Sequence, residues 1–239
     1  MTTTHELSTL LLDTFVELAD TLASGYDTGD FLQFLVDQCN ELSLADTAGV
    51  LLESPSGEAP TLAAATSQAM LDIEELEIGL AQGPCLEAYR SGERMLIGDL
   101  RQWEDRWPEF VPRILDLGMR SAAAFPLRVR EDRIGALNLY RREPRAFEDN
   151  EVRLGQALAD IAAVGILQER AVVEAERRAE QLQRALNSRV LIEQAKGVLG
   201  ERHGVPPRET FEKLRRHARN NNRTLRDVCQ QVVDGALDP

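Results

Sequence analysis

The sequence has few of the residues that make cross-links. Its three cysteines, Cys39, Cys85 and Cys229, are widely spaced and form no C-x-x-C pair. Histidine occurs only as His5, His203 and His217, which argues against a structural zinc site. An odd number of scattered cysteines predicts a reduced, cytoplasmic chain. No apolar run approaches the roughly 18 to 20 residues that span a bilayer, so no membrane partner is expected. The stretch from Met1 to Leu12 lacks the basic segment and small-residue cleavage site of a signal peptide. Aromatic residues make up only 5%, with Trp103 and Trp107 the two tryptophans, so aliphatic side chains must build the core. No Ser/His/Asp set, paired metal ligands, phosphate-cradling glycine loop or receiver-type phosphoacceptor sequence can be placed. Catalytic residues, metal ligands and a cofactor are therefore not assigned, and no enzyme activity is expected.

What remains is an ordinary globular composition, 43% hydrophobic and 28% charged over 239 residues. That length can bury a core unaided. The net charge of −13 is unevenly spread. Residues 187–239 hold ten basic and seven acidic side chains, while residues 1–186 hold 17 basic and 33 acidic ones. A polyanion partner is expected at the basic tail.

The pattern along the chain changes period several times. Leu7, Leu11, Phe15, Leu18 and Leu22 repeat at helical spacing, as do Phe31, Leu35, Cys39 and Leu42 after a break at Gly25–Gly29. Strands are predicted at 48–52, 62–66, 95–97 and 122–130, with a turn at Pro55-Ser-Gly57. Phe125–Val129 and Ile134–Tyr140 flank the charged turn Arg130-Glu-Asp-Arg133, a hairpin signal. From about Phe147 a helical pattern persists for roughly 50 residues. Leu154, Leu158, Ile161, Gly165, Gln168, Val172, Ala175, Ala179, Leu182 and Leu186 alternate at spacings of 4 and 3, with Val164 and Leu167 placed to pack on the preceding domain. Such a polar helix implies a partner helix, and a dimeric coiled coil is expected over a solvated linker. Gly204-Val-Pro-Pro207 ends the helix. A second helix follows at 208–219, with Phe211, Leu214 and Ala218 inward. Asn220–Asn222 breaks it, and a third, capped by Thr224, buries Leu225, Val228, Cys229, Val232 and Val233.

Residues 186–237 resemble the ANTAR family, the three-helix RNA-binding module of bacterial antitermination regulators. The resemblance rests on Arg189-Val-Leu-Ile-Glu-Gln-Ala-Lys-Gly-Val-Leu199, Phe211-Glu-Lys-Leu-Arg215 and Asn222-Arg-Thr-Leu-Arg-Asp-Val228. Thr210 and Cys229 stand where that family has alanine; both are small and fall on expected inner faces. Residues 8–168 resemble a GAF domain, a small-molecule-sensing or protein-docking module. The residues that carry this are Gly83-Pro-Cys-Leu-Glu-Ala88, Ile97-Gly-Asp-Leu100, Arg106-Trp-Pro108, Gly118-Met-Arg-Ser121, Ala124-Phe-Pro-Leu127 and Ile134-Gly-Ala-Leu-Asn138. The implied fold is α+β: a sensor domain at 8–168 with an antiparallel sheet flanked by helices, a coiled-coil linker at 169–186, and a three-helix domain at 187–239.

The basic residues Arg208, Lys213, Arg215, Arg216 and Arg219 lie within twelve positions, and Arg189, Lys196, Arg202, Arg223 and Arg226 add to them. Such charges meet phosphates, although a solvated helix face is the plain alternative. The spacing of Phe211 puts it in the core, so no aromatic platform for stacking bases is expected. Gly197 costs about 1 kcal/mol in a helix, explained by tight packing or by close approach of RNA backbone; packing is the physical preference. The resemblance moves Lys196 and Gly197 to an RNA face. Asn220–Asn222 suit base edges and turns equally. The candidate RNA-binding set is Arg189, Gln194, Lys196, Gly197, Lys213, Arg216, Arg219, Asn222 and Arg223. For a sensor site the candidates are Cys85, Asp99 and Trp103. Cys85 precedes a helix start that could activate a thiol, but it reads better as structural; Asp99 reads better as a turn cap, and the tryptophans as packing.

The ANTAR resemblance implies a homodimer gripping tandem RNA stem-loops, which would exclude a competing terminator hairpin. Linking two modules makes the second binding event intramolecular. The GAF resemblance implies a small-molecule effector, of unknown identity, that changes dimer geometry. The rivals are a DNA-binding regulator and a redox or small-molecule sensor with a scaffolding tail.

Overall fold

A computed structural model describes residues 4–23, 27–54 and 59–239. The side chains of 4–10, 19, 22 and 23 fall outside the description, as do the expected turn at Pro55–Gly57 and the first part of the break at Gly25–Gly29. Leu7, Leu22 and His5 are among those side chains. The chain divides into two compact units, 1–169 and 170–239.

The first unit opens with α1 (Thr4–Ala23) and α2 (Thr28–Glu41), followed by β1 (Thr47–Leu52) and β2 (Thr61–Ala65). Then come α3 (Gln68–Leu80), α4 (Pro84–Ser91), β3 (Met95–Ile97), a 3-10 turn (Leu100–Trp103) and α5 (Phe110–Asp116). It closes with β4 (Ser121–Val129), β5 (Asp132–Arg141) and the start of α6 (Asp149–His203). The five strands form one antiparallel sheet in the order β2-β1-β5-β4-β3. Alternate residues face opposite layers. Ala123, Phe125, Leu127, Leu137 and Leu139 meet α1, α2 and α6. Ala122 and Tyr140 meet α3 and α5, and Ala124 and Ala136 meet α4. Both faces are covered, so Ile134–Arg141 is buried without interruption and reads as a continuous run. Pro126 sits in β4 beyond the end of β3, which pairs only with 122–124, so its missing N–H breaks no ladder bond there.

The hairpin turn is tighter than the sequence suggested. Val129 already pairs with Asp132, leaving Arg130 and Glu131 to turn, with Arg130 at φ +57°. Arg141, buried at the end of β5, fixes the entry to α6. Its Nε donates to the Leu44 carbonyl at 2.9 Å, its Nη2 meets Glu151 at 2.8 Å, and its guanidinium lies 3.8 Å from the Phe147 ring centre.

The second unit holds the rest of α6, α7 (Pro207–Asn220) and α8 (Leu225–Val233). Leu191, Ala195 and Leu199 pack with Leu214, Ala218, Val228, Cys229 and Val232. Gly204 at φ +64° ends α6, and Thr224 caps α8 by accepting from the Asp227 amide at 3.1 Å. Thr210 and Cys229 are both buried, and the Thr210 hydroxyl donates to the Pro207 carbonyl at 2.9 Å.

The expected ten-position seam divides. Leu154, Leu158 and Ile161 pack into the first unit, together with Ala162, Ala163 and Ile166. Val172, Leu182 and Leu186 are exposed, Leu182 to 72%. Leu167 packs as expected, but Val164 is 51% exposed, because the buried stripe runs through 158, 162 and 166 at intervals of four. Phe211 also departs from its expected place. The inward stripe of α7 is Thr210, Leu214 and Ala218, again at intervals of four. That rotates Phe211 to the margin, where it is half-buried.

Candidate nucleic-acid interface

Because Thr210, Leu214 and Ala218 face inward, the other residues of α7 form a polar surface beside the end of α6. Lys196, Pro207, Arg208, Glu209, Phe211, Glu212, Lys213 and Arg216 line a cleft of about 740 Å³. Arg208, Glu212 and Arg216 recur at i, i+4, i+8 and so share one face of α7. Lys196 enters from α6, its ammonium within 2.8 Å of both Glu193 carboxylate oxygens. Four cations, two carboxylates and one phenyl ring thus share the lining of this cleft.

Gly197 follows Lys196 on α6 and is itself exposed, and a Cβ built there would meet nothing within 4 Å. Tight helix packing therefore does not explain it. The bare backbone is left open to an approaching group.

Of the nine residues proposed from sequence, Lys196, Lys213 and Arg216 line the cleft, and Gly197 adjoins it in sequence. Arg189 and Gln194 are exposed on α6. Arg219 lies near the end of α7, with Asn222 and Arg223 in the turn after it. Asn222 sits at φ +48°, and Arg223 donates to Gln231 Oε1 at 2.6 Å. These five lie outside the cleft lining. Arg208 was counted among the basic residues but left out of the proposed set, and Phe211, Glu209 and Glu212 were missed. The available signal was the i+4 repeat from Arg208 to Arg216.

The three sensor candidates occupy different settings. Asp99 caps the 3-10 turn, accepting from the Arg101 amide at 3.1 Å and pairing with its guanidinium at 2.6 Å. Trp103 stacks on buried Trp107, with ring centres 5.2 Å apart. Cys85 is buried within α4, in a closed polar cluster. Asn138 Nδ2 donates to Cys85 Sγ at 2.7 Å and to Glu74 Oε1. Tyr140 donates to Glu77 Oε1, and the amides of Cys85 and Leu86 donate to Glu77 Oε2 at 3.1 and 3.3 Å. Gly83, at φ +134°, leaves room for this, since a Cβ there would fall 2.4 Å from Glu77 Cδ. Burial, then the charges of Glu74 and Glu77, push the Cys85 thiol well above its ordinary value, the opposite of an activated thiolate. Burial also raises the Glu74 carboxyl to about 7, although Asn138 and Cys85 favour its charged form. Glu77 is raised by burial and by Glu74, against the pull of its three donors. Glu74 Oε2 and Asn138 Oδ1 are buried with no partner among the described residues. Glu74 also walls an apolar cavity of about 540 Å³ between β2 and α3, lined by Pro60, Leu62, Leu71 and Ile78 among others.

Comparison with known proteins yields two family matches. The GAF domain family matches residues 2–166 and the ANTAR domain family matches residues 180–233. No curated protein matches the chain. The GAF domain of a phosphoenolpyruvate-protein phosphotransferase from Coxiella burnetii superposes with a TM-score of 0.55 at 16% identity, covering 68% of this chain and 96% of that one. Its counterpart from Acinetobacter gives 0.53 at 17% identity, covering 68% and 95%. Free methionine-R-sulfoxide reductase from Neisseria meningitidis, solved with its substrate, gives 0.53 at 18% identity, covering 66% and 89%. At these identities the likeness carries the fold alone. Among the described residues, no helix is long and apolar enough to cross a membrane.

Proposed function

The chain belongs to the GAF domain family and carries an ANTAR domain after it, and on that premise we propose a signal-responsive, non-enzymatic antitermination regulator that binds paired RNA stem-loops as a homodimer. The observation that carries this reading is the cleft where Lys196, Arg208, Lys213 and Arg216 converge. Cations grouped on one face bind phosphates and release counterions, which supplies most of the affinity for a polyanion. The open backbone at Gly197 lets that polyanion approach α6 closely.

The α6 surface supports the dimer reading. Val172, Leu182, Leu186 and Val190 are among the exposed apolar side chains of α6, on a stretch rich in charge. A second copy would cover them, as in a coiled coil. Two modules held at fixed separation would bind tandem hairpins with a gain of roughly 10²-fold or more over one. Hairpins held this way exclude the terminator hairpin. The input is a small molecule entering the apolar cavity beside Glu74, with different affinity for two dimer geometries.

A mobility-shift assay at equal salt tests the reading. The full chain is expected to bind a tandem-hairpin RNA and to leave duplex DNA of equal length largely free. Preference for DNA would replace this reading with a DNA-binding regulator. The double variant Leu182→Lys, Leu186→Lys is expected to sediment as a monomer and to lose roughly 10²-fold in tandem-hairpin affinity. An unchanged mass would place the dimer contact elsewhere.

A further inference from the structure

We propose that Phe211 is a stacking platform for one unpaired nucleobase of the bound hairpin loop, and that the cleft around it is a base pocket; this assignment rests on the RNA reading above.

The argument begins with what Phe211 does not do. It is half-buried, and the core of the second unit is complete without it. Leu191, Ala195, Leu199, Leu214, Ala218, Val228, Cys229 and Val232 form that core. A phenyl ring at the margin of a strongly polar helix leaves apolar area in water, which a planar partner would remove. The ring lies in the lining of a cleft of about 740 Å³, among Lys196, Arg208, Lys213 and Arg216.

Charge then selects the occupant. Glu209 and Glu212 share the lining with the four cations, so the cleft is mixed in sign around an uncharged ring. A phosphate buried there would meet two carboxylates. A neutral, flat base would meet the ring face, while its flanking phosphates reach cations at the rim. Hairpin loops offer such bases, because their nucleotides are unpaired and can be splayed out onto aromatic or guanidinium planes. A paired duplex base has its faces already stacked. The cleft therefore distinguishes a loop from a stem, which phosphate contacts alone do not.

The test uses the full chain and hairpin RNAs in which each loop nucleotide in turn is made abasic. For the wild type, one position is expected at which losing the base weakens binding about tenfold to hundredfold, the range of a single base–aromatic stack. Phe211→Leu is expected to bind intact and abasic RNA alike, with unchanged circular dichroism, and Phe211→Tyr to restore the difference. The wild-type chain supplies a second measurement free of folding effects. 2-Aminopurine at the sensitive position should be quenched on binding. The proposal is overturned if Phe211→Leu keeps the full abasic penalty, if no loop position is sensitive in a wild-type complex, or if 2-aminopurine brightens. Failure of the wild type to bind any hairpin is a different result: it removes the RNA reading itself, and this assignment with it.

Discussion

In the first unit the carboxyls of Glu74 and Glu77 are sealed from water, whereas in the second Lys196, Arg208 and Arg216 line an open cleft. The buried pair must be answered locally, and Asn138, Tyr140, Cys85 and two α4 amides do so. Stability there depends on protons. Arg208 and Arg216 are exposed to solvent and need no such answer, while the less exposed Lys196 is paired with Glu193. The same division appears within α6. Gly155 lies against the Phe125 ring, with a built Cβ only 2.5 Å from it, while a Cβ at Gly197 meets nothing. One glycine serves packing and the other leaves a surface open.

Five variants sharpen or break this contrast. The largest effect is expected from Glu74. Its carboxyl titrates near 7 in the folded chain against 4.5 ordinarily, so the folded state holds the proton that the unfolded state has released. Stability is therefore lost as pH rises from about 4.5 to about 7. Glu74→Gln removes that dependence. Urea melts at pH 5 and pH 8 should show a smaller difference for the variant; an equal difference would contradict the cluster as described.

Next comes Gly155→Ala. Displacing the buried Phe125 ring is expected to lower stability by about 1–2 kcal/mol, after allowing for the better helix former. Thermal denaturation checks it. Lys196→Ala and Arg216→Ala leave stability unchanged but lower the salt slope of hairpin binding by about 0.7–1 each, one phosphate contact apiece. A slope unchanged in both would remove the cleft from the interface. The smallest effect is Gly197→Ala, a gain of roughly 0.5–1 kcal/mol in stability. Hairpin affinity should fall in the same variant, and a rise would show that no group approaches that backbone.

Sequence patterning located most elements of both units, because period-2 and period-3.6 burial leave direct marks. β3 was found at its three residues, 95–97, and Thr224 was found as a cap. The misplacements share one cause. Phe211 and Val164 were assigned by hydrophobicity within a 3–4 spacing, but the buried stripes run through Thr210 on α7 and through Ala159, Ala162 and Ala163 on α6, small residues that a hydrophobic pattern underweights. The buried acids were invisible for a related reason. Nothing in the local pattern marks Glu74 and Glu77 as buried, and only the fold brings Asn138 and Tyr140 onto them from β5, more than sixty positions away. Lys196, Lys213 and Arg216 were legible as basic residues; their convergence with Phe211 was not.

The most direct test of the proposal that the second unit, and not the first, grips RNA is photocrosslinking of the full chain to a tandem-hairpin RNA, followed by peptide mapping. Adducts are predicted on peptides spanning 189–223, with Lys196 and Phe211 among the modified residues. Adducts confined to residues 1–169 would contradict it.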